Sequence, residues 1–220
     1  MAYARTYYLN FSSLRTEAMI NTYLDHVTPD RKERIETTKR IETKASLLGA
    51  GLLLRYVLNG EYGLSDFTIE TNEHGKPYIK EHPEIHFNLS HSGDIAVCTV
   101  SDTECGVDIE NINTLHDTMK VANRFFSHNE YNAMLLSPNP NEAFCRLWTL
   151  RESYVKMRGK GFAIGLSTLR CDFHRGVCSM YQDGILQEDA FFRELKGVPG
   201  YRISVCTKGE AEHTLTEVKL

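Results

Sequence analysis

The longest unbroken apolar pattern in the chain is "TKASLLGAGLLLRYVL", residues 43–58. It is too long and too rich in Leu for a strand, and predicts a buried helix ended by Asn59-Gly60. Three shorter runs follow, "DFTIET", "EIHFNLS" and "DIAVCTV", each predicting a strand. A second helical pattern, "NEAFCRLWTLRESYVKMRG", closes at Gly159. Strand-like runs follow it too: "LRCDFH", "VCSMYQ" and "YRISVCT". Helix followed by three strands thus occurs twice. "AVCT" at 96–99 returns as "SVCT" at 204–207, close to half a chain length later. This order predicts an α+β fold of two similar halves, 1–105 and 106–220, with a ligand cleft at their junction.

The segment "GVDIE", 106–110, opens the second half on a stretch that otherwise reads as a buried strand. Residues two apart on a strand share a face, so Asp108 and Glu110 project together while Val107 and Ile109 turn toward the core. Carboxylates this close repel unless a cation lies between them, and a hard divalent ion such as Mg²⁺ suits oxygen ligands. A strand end with solvated acids is the alternative. In "WTLRESYVK", Trp148, Glu152 and Lys156 run along one helix face, where Trp148 can anchor and the other two reach beyond it. An ordinary surface Glu–Lys pair is the competing reading. In "FNLSHSGD", 87–94, a strand runs into Ser90-His91-Ser92-Gly93. The amides, hydroxyls and imidazole there can cradle a phosphate or merely turn a hairpin. Ser127 and Glu130 in "FFSHNEYNAM" read as a capping box.

Composition narrows the choices. With 41% hydrophobic residues, 25% charged and a net charge of −4, the chain reads as globular and not as a general nucleic-acid binder. No window approaches the ~20 apolar residues of a membrane span and the start lacks a secretory pattern, so a cytoplasmic protein without a membrane partner is expected. The six cysteines form no C-x-x-C pair and mostly sit in apolar runs, which predicts buried reduced thiols. The stretch "PDRKERIETTKRIETK", 29–44, holds six basic and four acidic residues, either a solvated helix laced with ion pairs or a basic rim for an anion. The absence of G-x-S-x-G disfavours a serine hydrolase.

Taken in order, "FNLSHSG", "GVDIE", "FFSHNEY" and "LWTLRESYVKMRGKG" resemble the motif series of the 4'-phosphopantetheinyl transferases, in particular the long, monomeric, surfactin-synthetase-activating type. The resemblance runs from "PDRKER" through "GKP" at 75–77 to "GYRISVC". It implies two similar α+β halves with the active site at their junction. It also implies Mg²⁺-dependent transfer of the phosphopantetheine arm of coenzyme A to a serine of an apo acyl or peptidyl carrier protein, releasing adenosine 3',5'-bisphosphate. By match to the motifs, Asp108, Glu110 and Glu152 would bind Mg²⁺. Ser90 and His91 would contact CoA phosphates, with Arg31, Arg34 and Lys76 around the adenosine end. Lys156 would stabilise charge on the pyrophosphate or protonate the leaving group, Glu152 would accept the serine proton, and the segment from Gly159 into "KGFAIGL" would help dock the carrier. Two positions depart from the family: Arg151 stands where Lys is usual, and Ala45 where Arg often precedes the small hydroxyl residue, with Lys44 as a substitute. A Mg²⁺-dependent nuclease and a noncatalytic CoA- or carrier-binding module are the rivals. The first needs a continuous basic track, and the second has no use for three aligned acids.

Overall fold

The computed structural model describes residues 2–113 and 117–220. The chain opens with strand β1 (Ala2–Asn10), three helices, α1 (Glu17–Tyr23), α2 (Pro29–Thr37) and α3 (Ile41–Tyr62), and a small hairpin, β2 (Ile69–Thr71) and β3 (Pro77–Ile79). Strands β4 (His86–Ser92) and β5 (Ile95–Ser101) complete this part. The order then recurs: strand β6 (Cys105–Asn111), three helices, α4 (Thr118–Phe125), α5 (His128–Leu135) and α6 (Pro140–Arg158), and a small sheet of β7 (Leu169–His174), β8 (Val177–Gln182) and β9 (Ile185–Leu186). Two long strands follow, β10 (Ala190–Leu195) and β11 (Tyr201–Lys208), and then β12 (Ala211–Val218).

The two main sheets share one topology. In the first the order is β12-β1-β5-β4, in the second β10-β11-β6, so β5 and β11, the strands carrying "AVCT" and "SVCT", lie between equivalent neighbours. Strand β12 pairs in parallel with β1, from Ala2 opposite Ala211 to Leu9 opposite Val218, and so returns the chain's end to the first sheet. The sheets meet face to face over Ala4, Ile95, Val97, Val107, Ile109, Ile203 and Val205, while α3 backs the first and α6 backs the second. Helices packed on sheets that are antiparallel apart from the β1–β12 pair make the fold α+β.

Local chemistry explains the two long helices. Helix α6 begins on an Asn139 side-chain cap with Pro140 in its first turn and stops at Gly159, whose φ of +62° only Gly adopts freely. Helix α3 runs past Asn59-Gly60, where the sequence predicts its end, to a left-handed Gly63. Its extra turn is held by tertiary contacts that no local pattern encodes: Glu61 binds Arg5 and Tyr7, and the hydroxyls of Tyr62 and Tyr3 lie 2.8 Å apart. The basic stretch 29–44 is two helices, broken after Thr37, and not one. All six cysteines are buried and unpaired, as their apolar settings predict. No helix among the described residues is long and apolar enough to cross a membrane.

Candidate active site

The site lies where β4 of the first sheet, β6 of the second and helix α6 meet. Gly106 sets the approach. A Cβ there would lie 2.1 Å from the Ser153 carbonyl oxygen and 2.3 Å from the Met157 amide nitrogen, so only glycine lets α6 rest its backbone on β6. Helix α6 is also held by Trp148, which packs on Phe125 of α4 with ring centroids 5.9 Å apart. Lys156 is thereby delivered to the strand: its Nζ donates to Asp108 Oδ1 at 2.6 Å, Ser90 Oγ at 2.9 Å and the Val107 carbonyl at 3.2 Å. The surface Glu152–Lys156 pair that the spacing allowed does not form; Lys156 turns inward to Asp108.

Strands β4 and β6 are not joined by a backbone ladder. Their junction is made by side chains at period two. Asn88 Oδ1 accepts the Val107 amide at 2.9 Å, Ser90 Oγ donates to Asp108 Oδ1 at 2.8 Å, and Ser92 Oγ donates to Glu110 Oε2 at 2.9 Å. Val107 and Ile109 face the core between the sheets, as the alternation predicts. Asp108 is 5% exposed, more deeply buried than a solvated strand end.

This burial shapes the electrostatics. Desolvation and then the neighbouring Asp108 charge push the Glu110 carboxyl up to about 7, against the opposing effect of the Ser92 hydrogen bond and Lys156. Burial and Asp108 also raise Glu152, with Lys156 pulling the other way. Three carboxyl groups on two elements therefore sense one another. Among the described residues no group of three or more His, Cys, Asp or Glu side chains is drawn together as a metal cluster. The donor set nevertheless fits a hard divalent cation: it is all oxygen, its members destabilise one another's charge, and Asp108 Oδ2 is buried with no hydrogen-bond partner.

The remaining predicted residues take different positions. His91 is exposed at the end of β4, and partial burial of its ring, with the charges of Lys156 and Arg31, lowers its pKa below 6.5. Arg31 and Arg34 stand one turn apart on α2. Arg34 is exposed, whereas Arg31 lies across Gly51 of α3, donates to the Leu47 carbonyl at 3.2 Å, and has its pKa lowered by burial and by Arg34. Lys76 points inward, donating to the carbonyls of Met157 at 2.9 Å and Cys105 at 3.1 Å, and so ties the first half's hairpin to α6 and β6. Lys44 is engaged with Glu17 at 3.1 Å. A cleft of about 310 Å³ is lined by Lys76, Leu89, Glu152, Val155, Lys156 and Ile164 among others. In the adjoining segment 159–166, the side chain of Phe162 lies outside the described ones. A larger hollow of about 840 Å³, bordered by Val177, Phe191 and His213, contains none of these residues.

The sequence sets Arg151 beside Glu152 and gives it no local partner. Arg151 is fully buried; its Nη2 donates to Glu130 Oε1 at 2.6 Å and its guanidinium lies 4.5 Å from the Phe126 ring centre. Glu130 completes the expected capping box and also accepts the Cys171 amide at 2.8 Å. The signal was present as an unexplained basic residue on a buried helix face, but its partner lies 21 residues away in sequence.

The comparisons with known proteins fall on this same framework. A profile of the 4'-phosphopantetheinyl transferase superfamily matches residues 104–206, and one described as 4'-phosphopantetheinyl transferase, N-terminal, matches residues 15–103. The chain is 34% identical over 191 residues to the 4'-phosphopantetheinyl transferase psf-1 of Bacillus pumilus, covering 79% of this chain and 76% of that protein. The chain belongs to the 4'-phosphopantetheinyl transferase family. Further relatives are the 4'-phosphopantetheinyl transferases Sfp of Bacillus subtilis strain 168, 29% identical across 84% of this chain and 83% of its own, and gsp of Aneurinibacillus migulanus, 33% identical across 80% and 73%. In this transferase the boundary between the two matched profiles falls at the short link from β5 to β6, beside the acid pair.

Proposed function

We propose that this chain transfers the 4'-phosphopantetheine group of coenzyme A to a serine hydroxyl of an apo acyl or peptidyl carrier protein, releasing adenosine 3',5'-bisphosphate. The observation that carries the reading is Lys156 bound to Asp108, with Glu110 and Glu152 close enough to sense the Asp108 charge and with Glu152 and Lys156 lining the adjoining cleft, within the family's own sequence frame. Asp108, Glu110 and Glu152 would hold Mg²⁺. The ion supplies charge neutralisation at the CoA pyrophosphate.

The chain's own groups account for the rest. Glu152, on the helix face that lines the cleft, would accept the proton of the attacking serine directly or through a water on the ion. Lys156 is a charged donor already held at the site, able to exchange its Asp108 contact for a phosphate oxygen as negative charge develops on the leaving bisphosphate. His91, Arg31 and Arg34 form the basic flank on the α2 side and would receive CoA phosphates, with the Ser90 hydroxyl beside them. In this reading Lys76 serves the adenosine end chiefly by fixing the "GKP" turn against α6, since its ammonium is engaged by two carbonyls. The segment 159–166, walling the cleft, would meet the carrier.

Residues 1–105 and 106–220 would form two halves of one cytoplasmic, monomeric enzyme, with neither nucleic acid nor membrane as partner. Incubation with CoA, Mg²⁺ and a panel of apo carriers of fatty-acid, polyketide and peptide type should add one phosphopantetheine to at least one carrier, read by intact-mass spectrometry and stopped by EDTA. No modified carrier, with Mg²⁺-dependent cleavage of DNA or RNA instead, would replace the transferase reading by the nuclease one.

A further inference from the structure

The alternation on β4 matches the alternation on β6: Ser90 stands against Asp108 and Ser92 against Glu110, each pair 18 residues apart. The two hydroxyls differ in one respect. Ser90 also receives Lys156, so its bonds rearrange whenever that lysine moves to substrate. Ser92 receives a backbone group, the Asn111 amide, at 3.0 Å. An amide can only donate, so the Ser92 oxygen is its acceptor and the hydroxyl proton is directed at Glu110 Oε2. Ser92 is therefore held by the main chain of the very strand whose carboxylate it orients, and its orientation does not depend on the protonation or motion of another side chain.

We infer that Ser92 is a positioning residue that fixes the Glu110 carboxylate for a divalent cation. It occupies one lone pair of Oε2 and restricts rotation of the side chain, leaving the other oxygen free to bind. The inference rests on the proposed role of Asp108, Glu110 and Glu152 as cation ligands. It gives Ser92 a task apart from the phosphate contacts proposed for Ser90 and His91. Removing the hydroxyl frees the Glu110 side chain and leaves the Asn111 amide without its acceptor. Groups that orient metal ligands in this way typically change metal affinity by about 10–100-fold when removed. A single hydroxyl acting on one of three ligands belongs at the lower end of that range.

The test measures Mn²⁺ binding to the purified full chain without CoA, by the electron paramagnetic resonance signal of free Mn²⁺, alongside Mg²⁺ and CoA titrations of carrier modification. Ser92→Ala should bind Mn²⁺ roughly tenfold more weakly and need correspondingly more Mg²⁺ for half-maximal rate, with the KM for CoA unchanged. Ser92→Thr, which keeps the hydroxyl, should restore both values. If Ser92→Ala binds Mn²⁺ as tightly as the parent chain, the positioning role is wrong; a raised KM for CoA with unaltered Mn²⁺ binding makes Ser92 a substrate contact instead. Asp108→Asn separates this failure from failure of the cation reading. If the parent chain and Asp108→Asn bind Mn²⁺ alike, the three-acid site itself is refuted, whatever Ser92 does.

Discussion

Replacing Glu130 by Gln should destabilise the protein far more than its place in a short helix suggests. The substitution keeps one side-chain oxygen for the Cys171 amide, replaces the oxygen that accepts the Ser127 amide by a donor NH2, and removes the charge facing Arg151. Arg151 has 0% exposure and cannot turn to water, so its guanidinium is left with neutral partners: the carbonyls of Leu147 and Leu169, the Cys171 sulfur and the Phe126 ring. Breaking a buried pair from one side costs ~3–5 kcal/mol, and the retained amide oxygen puts this change near ~3. For a chain of this size that corresponds to a fall in Tm of about 6–12 °C. Chemical denaturation of both proteins, extended to Arg151→Met and the double variant, measures the coupling directly, and the double variant should recover most of the loss. The cost should also depend on pH. Burial alone would raise the Glu130 carboxyl, but Arg151, Ser127 and the Cys171 amide outweigh it and hold the group below 4.5. The group's contribution is therefore complete above about pH 4.5 and is lost as the pH falls through its lowered value, so parent and variant should converge in acid. A loss below about 1 kcal/mol at neutral pH, or an equal loss at all pH values, would refute the reasoning.

Two further outcomes follow from other parts of the molecule. His91→Ala should raise the KM for CoA roughly tenfold or more while leaving the KM for the carrier unchanged, because a hydrogen bond to a charged phosphate contributes ~1.5–3 kcal/mol; unchanged CoA kinetics would reduce His91 to a strand-end residue. His213, whose Nδ1 is buried without a partner, is pushed down to about 4 by burial and by Arg193. Between pH 6.5 and about 4 the unfolded chain therefore binds more protons there than the folded one, and stability should fall across that window. His213→Gln should flatten this part of the denaturation profile, and an identical profile would remove the assignment.

Much of the design is legible in local sequence because its causes are local. Strands β7 and β8 lie where "LRCDFH" and "VCSMYQ" predict them, and α6 ends at the predicted Gly159, because alternation and a left-handed cap act within a few residues. Period two alone put Asp108 and Glu110 on one face and Val107 and Ile109 on the other. Strand β12 was not predicted, since its partner β1 lies at the other end of the chain and a pairing across about 200 residues leaves no local mark. The end of α3 was misplaced for the same reason: Glu61 and Tyr62 are held by residues of β1.

The sequence by itself determined the residue types: three acids, a lysine, a histidine and two serines, at spacings that define a strand face and a helix face. Tertiary structure decided how they are used. It buried Asp108, gave Lys156 to Asp108 and not to Glu152, turned Lys76 inward, paired Arg151 with Glu130, and set Ser90 and Ser92 against the acid pair. The physical reason is range. Side-chain direction follows from the backbone period of one element, whereas the cost of burying a charge, and the partner that relieves it, depend on which elements pack together.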